Sequence, residues 1–321
     1  MTVSHELPPR ELLPDLTGRT IVVTGTTSGL GLALSGALAA AGARILMTVR
    51  DAERGAAAVD QVRAGIDGTG SAEPVLLDLA DLSSVRAAAA EIRERTGDQV
   101  DVLINNAAVS LGPHSRTRDG FELQIGTNHL GPAALTWLLM PALRAAGDRG
   151  RPARVVTTSS LGHRTGGLDL ADLHWERRRY SPTRAYGASK LANLLFAAEL
   201  DRRLRTAGDP VLSIAAHPGL TTSQLLANAL ARGSTWRSRL LVLPDRYLSQ
   251  PVTAGIAPQL IAATGPADGG DYLGPTGPFE IRGPAGPARR SAAAKDRRLA
   301  SELWQITSTA TGVTPEPAIR A

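Results

Sequence analysis

The sequence predicts an α/β fold: a doubly wound parallel sheet with helices on both faces. Three observations carry this. Short β-rich runs alternate with Ala/Leu-rich helical runs from Ile21 to Ala215, and strands separated by helices need crossovers, which make the sheet parallel. A glycine-rich turn directly follows the first strand. The chain has 321 residues, 43% hydrophobic and 20% charged, a mix that suits a folded chain and excludes a disordered one.

The elements follow in order. Ile21-Val22-Val23 reads as the first strand, and Leu32 to Ala41 as a helix stopped at Gly42. Arg44 to Val49 is the second strand and Ala52 to Ala64 its helix. Pro74 to Leu77 is the third strand, before a helix from Ser83 to Arg95 capped by Asp81 or Ser83. Val100 to Ile104 is a strand, Leu123 to Ala146 a helix broken at Pro141, and Arg154 to Thr158 the fifth strand. A long helix, Tyr186 to Thr206, precedes a sixth strand, Val211 to Ala215. Leu220 to Leu243 reads as helix with no clear strand after it, and Gly265 to Ala288, rich in Gly and Pro, as mostly loop. Ser291 to Gln305 returns to helix, with Leu299, Leu303 and Trp304 on one face. Residues 1–17 read as an N-terminal extension. Residues 18–321 read as one domain, in which 220–321 are a helical and loop elaboration on the substrate side.

Composition removes several function classes. With no cysteine, disulfide frameworks, thiol catalysis and thiolate metal sites are excluded. Net charge is +5, but the arginines are scattered and aromatics are only 3%, which argues against a nucleic-acid surface. The densest basic runs, 177–179 and 201–205, read as solvated surface. No stretch of ~18 apolar residues could span a membrane, and Met1 to Asp15 lacks the pattern of a secretory leader. A cytoplasmic protein is expected.

Thr24-Gly25-Thr26-Thr27-Ser28-Gly29-Leu30-Gly31 joins the first strand to the first helix. Glycines there permit a tight turn and close approach of a pyrophosphate, which the helix N-terminus favours. A plain β–α connection needs similar glycines, but the placement after the first strand favours a Rossmann-type cofactor loop. At the end of the second strand an acidic residue would bind the ribose of NAD. Val49 stands there, followed by Arg50 and Asp51. Arg50 suits the 2′-phosphate of NADP; Asp51 would serve ribose if the loop were shifted. NADP(H) is therefore preferred, with NAD(H) as the alternative.

Tyr186 and Lys190 stand four residues apart on the long helix and so share a face. A lysine there would favour phenolate and lower the tyrosine pKa, so that it exchanges protons nearer neutrality. Ser159 and Ser160 end the fifth strand, at the sheet edge where ligands bind. Either hydroxyl could orient a carbonyl. Asn105-Asn106-Ala107-Ala108 ends the fourth strand, and Asn128 sits in mid-helix, where Asn is unfavourable without a tertiary role.

Together these residues resemble the short-chain dehydrogenase/reductase family in its single-domain form. The resemblance runs from about Thr20 to Ser223 and is closest to the retinol dehydrogenase, protochlorophyllide reductase and WW-domain oxidoreductase branch. Thr127-Asn128-His129-Leu130-Gly131, the segment Arg184 to Asn193, His217-Pro218-Gly219 and the tail from Ala300 to Gly312 carry the branch assignment. The resemblance implies that Tyr186 is general acid or base. Lys190 would depress its pKa and hold the nicotinamide ribose, Ser160 would orient the carbonyl, and Asn128 would hold a relay water. Gly25, Thr27, Ser28, Gly29, Leu30, Gly31, Arg50, Asp78, Leu79, Asn106, Ala107 and Ala108 would bind the cofactor, as would Tyr186, Lys190, Pro218, Gly219, Thr221 and Ser223.

Departures from the family pattern are mild: a long spacing from Ser160 to Tyr186, which makes Leu161 to Arg184 a loop at the substrate mouth, and Ala108 in place of a common Gly. Leu225, Leu226, Leu230, Trp236, Leu240 and Leu241 suggest an apolar mouth, although core packing would explain them equally. The reading is an NADP(H)-dependent oxidoreductase of a carbonyl or alcohol, with a small-molecule substrate and no nucleic-acid partner. The family makes a homodimer or homotetramer common and a monomer known in this branch. A non-catalytic NADP(H) sensor or scaffold would be expected to lack a catalytic residue, and an extended-type epimerase to space its glycines differently.

Overall fold

A computed structural model describes residues 13–110, 112–221 and 249–314. Ser223 and the leucines and tryptophan expected at the apolar mouth lie outside these residues, as does most of the helix expected from Leu220 to Leu243.

Strands β1 (Thr20–Thr24), β2 (Arg44–Val49), β3 (Ser71–Leu76), β4 (Val102–Asn105), β5 (Ala153–Thr158) and β6 (Val211–Ala216) are mutually parallel. The helices between them are α1 (Gly29–Ala40), α2 (Ala52–Arg63), α3 (Leu82–Thr96), α4 (Leu123–Ile125), α5 (Gly131–Gly147) and α6 (Pro182–Ala207). After β6 come α7 (Val252–Gly255), α8 (Ala257–Thr264), β7 (Tyr272–Pro275), β8 (Ala285–Pro287) and α9 (Arg297–Thr311). The strand order is β3-β2-β1-β4-β5-β6-β7-β8. It reverses between β1 and β4, and a crevice opens where strands diverge in this way.

The central strands are buried on both faces and read as largely apolar runs, whereas the edge strands β3 and β8 are partly exposed. Successive residues point to opposite faces. Ile21 and Val23 pack on one side with Leu34 and Leu38 of α1, Val59 of α2 and Leu260 of α8. Val22 packs on the other with Ile92 of α3, Leu135 and Leu139 of α5 and Phe196 of α6. There Trp304 of α9 closes the core against Phe196 (centroids 5.4 Å apart) and Trp137 (4.9 Å).

Four expectations are corrected. The 265–288 region is not mostly loop: β7 pairs parallel with β6 and β8 antiparallel with β7, extending the sheet to eight strands. Composition hid them, because a glycine in a strand often marks close approach of another group. At Gly274 a methyl group would collide with the His217 ring. Pro141 does not break its helix; it sits on the exposed side of α5 while Met140 and Ala142 beside it stay buried. The irregularity lies earlier, as a π-turn at Gly126–Leu130. β3 begins at Ser71, and an edge strand tolerates the Pro74 inside it. Finally, the two basic runs are not simply solvated. Arg203 is buried against Glu199 (2.8 Å) and under Trp304 (4.6 Å to the ring), and Arg178 lies 3.9 Å over the Trp175 ring.

Candidate active site

A cavity of about 600 Å³ opens at the carboxyl edge of the sheet. Its walls come from the segments after β1 to β6 and from the start of α6. Gly25, Thr27, Ser28, Gly29, Leu30 and Gly31 line it, as do Arg50, Asp78, Leu79, Asn106, Ala107, Ala108, Ser160, Tyr186 and Gly219. The structure thus brings most of the expected residues to one cavity.

The glycine loop is shaped by what surrounds it. Gly25 has φ +71°, and a methyl group there would come within 2.8 Å of the Ala107 Cα. A methyl group on Gly31 would overlap the Gly25 carbonyl. Thr24 Oγ1 accepts from the backbone N–H groups of Asn106 and Ala107, both at 2.9 Å. The Ser28 side chain makes no capping bond, and the first turn of α1 holds no acidic residue, which leaves its positive end open to an anion. This cradle fits a pyrophosphate.

The two residues that end β2 separate. Arg50 lines the cavity, whereas the Asp51 carboxylate caps α2, accepting from Arg54 N–H at 2.8 Å. Asp51 is therefore committed to the helix and does not line the cavity.

At the other end stands Tyr186, partly exposed. Its burial raises the phenol pKa, and a hydrogen bond with Ser160 opposes this. The expected depression by Lys190 is not what sets the direction. The ammonium lies 5.7 Å from the tyrosine ring centre, donates to the Thr158 carbonyl at 3.2 Å, and is itself brought down to about 8 by burial. The adjacent serines divide as the pleat requires. Ser160 faces the cavity, and Ser159 is buried with its hydroxyl on the Lys190 carbonyl.

Asn128 sits inside the π-turn. Its Oδ1 accepts from Val109 N–H at 2.8 Å, and its Nδ2 donates to the Val109 carbonyl and to Ser189 Oγ, both at 2.9 Å. It lies behind the wall, as does Lys190. Pro218 and Thr221 are not wall residues either: both are buried, and the Pro218 carbonyl accepts from Gln250 Nε2 at 2.7 Å. The 161–184 segment is largely loop as expected, with short 3-10 turns at Leu161–Arg164 and Leu170–Asp172.

Leu161, Gly162 and Thr183 line the cavity too, within the 161–184 segment expected at its mouth, whereas Thr48, Val109 and Ser110 are wall residues that sequence reasoning missed. They carry no residue type that marks chemistry. Thr127 was readable only by its place before Asn128; it lines the cavity with a buried hydroxyl.

Residues 19–232 match the short chain dehydrogenase family. The chain belongs to that family, and within it to the branch of the retinol dehydrogenases. It is 40% identical over 300 residues to polyprenol dehydrogenase of Mus musculus, covering 91% of this chain and 84% of that one. It is 36% identical over 311 residues to retinol dehydrogenase 13 of Homo sapiens, covering 94% and 87%. Among solved structures, an uncharacterised protein from Mycobacterium Paratuberculosis superposes with TM-score 0.77 at 41% identity, covering 95% of this chain and 97% of that one. A Beutenbergia cavernae protein described as an NAD(P)-dependent gluconate 5-dehydrogenase, with NADP bound at low occupancy, gives TM-score 0.59 at 26% identity over 80% and 95%. The chain is accordingly an oxidoreductase with a nicotinamide cofactor site. Among the described residues no helix is long and apolar enough to cross a membrane.

Proposed function

We propose that the chain is an NADP(H)-dependent oxidoreductase that interconverts a carbonyl and an alcohol, with a hydrophobic substrate. The observation that carries this is one cavity with Arg50 at one end, Ser160 and Tyr186 at the other, and a glycine loop between. The bound nicotinamide supplies or takes the hydride. The residues do the rest. Ser160 donates to the substrate oxygen and holds it beside the Tyr186 hydroxyl. Tyr186 gives its proton to that oxygen in reduction and recovers it in oxidation. The Lys190 ammonium, close beneath, stabilises the phenolate left behind, and Asn128 holds the backbone of 109 against α6. Arg50 prefers a cofactor bearing a 2′-phosphate. The hydrophobic substrate is supported by relatives named for polyprenol and retinol.

The test is fluorescence titration with NADPH and NADH, followed by turnover of a carbonyl panel that includes all-trans-retinal. Binding of NADPH with turnover that Tyr186→Phe reduces by about 10²–10⁴-fold, the share of a general acid, supports the reading. Binding without turnover across the panel would leave a cofactor sensor instead. Binding of neither nucleotide overturns it.

A further inference from the structure

Gln259 lies on α8, off the cavity wall, and is completely buried. Its Nε2 donates to Asn106 Oδ1 at 3.1 Å and to Thr158 Oγ1 at 2.9 Å. Each contact leads to the site. Asn106 in turn donates from Nδ2 to the Thr24 carbonyl at 2.9 Å, and a methyl group on Gly31 would lie 2.8 Å from that same Nδ2. The glycine loop therefore packs on the Asn106 amide. The Thr158 carbonyl accepts from Lys190 Nζ at 3.2 Å and from Asn193 Nδ2 at 3.1 Å. One side chain thus spans the ends of β4 and β5 and stands one residue from both the loop and the ammonium.

We propose that Gln259 is a positioning residue that fixes the Asn106 amide against the glycine loop and Thr158 beneath Lys190, joining cofactor binding to proton transfer through one buried strut. The proposal rests on the oxidoreductase reading above. A primary amide has two N–H donors, and here each goes to a different strand. The Gln259 Oε1 is buried without a partner among the described residues. A buried acceptor left unsatisfied is costly, so this amide is held for its donors. The donor also shares with the Thr24 carbonyl in fixing how Asn106 faces. With Oδ1 turned to Gln259, Nδ2 must meet the Thr24 carbonyl. Remove the donor, and the Thr24 carbonyl alone is left to hold the Asn106 amide in that sense, with Oδ1 unpaired.

The test compares Gln259→Leu, Thr158→Val and the double variant with the wild type. NADPH Kd is read by fluorescence titration, kcat and its pH profile with all-trans-retinal, and folding by thermal unfolding. Gln259→Leu is expected to weaken NADPH and lower kcat, each by about tenfold, the scale of a lost buried hydrogen bond. Thr158→Val leaves the Asn106 arm intact. It is expected to lower kcat and displace the pH profile while NADPH Kd stays within about twofold. The double variant should lose no more kcat than Gln259→Leu alone, because both break the same arm.

A folded Gln259→Leu with wild-type Kd and kcat overturns the proposal, as do losses in kcat that multiply. If Gln259→Leu does not fold, Thr158→Val decides alone, and an unmoved pH profile overturns it. Should retinal not be turned over, the NADPH Kd of Gln259→Leu decides. A wild type that binds no NADPH fails the oxidoreductase reading and this inference together. A wild type that binds and reduces, with variants that match it, fails this inference only.

Discussion

The Ser159 hydroxyl donates to the Lys190 carbonyl at 2.8 Å and so ties the end of β5 to the third turn of α6. Its neighbour Ser160 faces the cavity. We predict that the two serines fail differently. Ser160→Ala should lower kcat by about 10²-fold or more with little change in unfolding. Ser159→Ala should cost about 1 kcal/mol of stability and keep most of its turnover. Steady-state kinetics beside urea unfolding of both variants separate them; a catalytic collapse in Ser159→Ala alone would reverse the assignment.

Arg50 and Asp51 offer a similar contrast. Arg50→Ala should raise NADPH Kd by about tenfold or more, the scale of a charge-assisted hydrogen bond to phosphate, and leave NADH Kd nearly unchanged. Asp51→Ala removes the α2 cap, which should cost about 1 kcal/mol with both Kd values nearly constant. Titrations with the two nucleotides decide. An NADH defect in Asp51→Ala would return ribose recognition to that carboxylate.

Buried histidines set the acid limit. Burial holds His129 down to about 4 and His217 down to about 3, and it lowers His163 and His174 as well. Each binds its proton less readily folded than unfolded. Between pH 6.5 and 4 the unfolded chain therefore takes up more protons, and stability falls as pH drops. The expected slope approaches about 1.4 kcal/mol per pH unit for each of His129 and His217 well inside that window. His129→Asn should flatten the slope between pH 6.5 and 5 by about one proton. Urea midpoints across that range check it, and an unchanged slope refutes it.

Trp304 of α9 is 1% exposed and stacks on Phe196 with an interplanar angle of 15°. Trp304→Ala should destabilise by about 3–5 kcal/mol, the cost of truncating a large core aromatic. Because α9 also reaches the π-turn, where His129 Nε2 meets Thr307 Oγ1 at 2.8 Å, turnover should fall before the protein unfolds. Activity and intrinsic fluorescence recorded together through a urea titration would show it. Coincident loss of both signals would confine Trp304 to the core.

Much of this was legible in advance, for physical reasons. The central strands β1, β2, β4, β5 and β6 are buried, largely apolar runs that read as strands directly, whereas the start of edge strand β3, with Ser71, Glu73 and Pro74, does not. Tyr186 and Lys190 stood out because both residue types are rare here. Long-range partners were not legible. Nothing local separates Ser159 from Ser160, or Arg50 from Asp51, until the pleat and the α2 cap are built. β7 and β8 lie in glycine- and proline-rich sequence whose glycines are there because His217 and other groups occupy the space. Gln259 reads as one more polar residue in a short helix. Arg203 reads as surface until Glu199 and Trp304 are seen beside it.

The aromatic cluster also bears on how the chain is made. Trp137 and Phe196 leave the ribosome well before Trp304, which is their lid. At synthesis rates of ~5–20 residues per second, they wait on the order of ten seconds as exposed aromatic surface on a nascent chain. During that interval a holding chaperone has a binding site that the finished protein conceals.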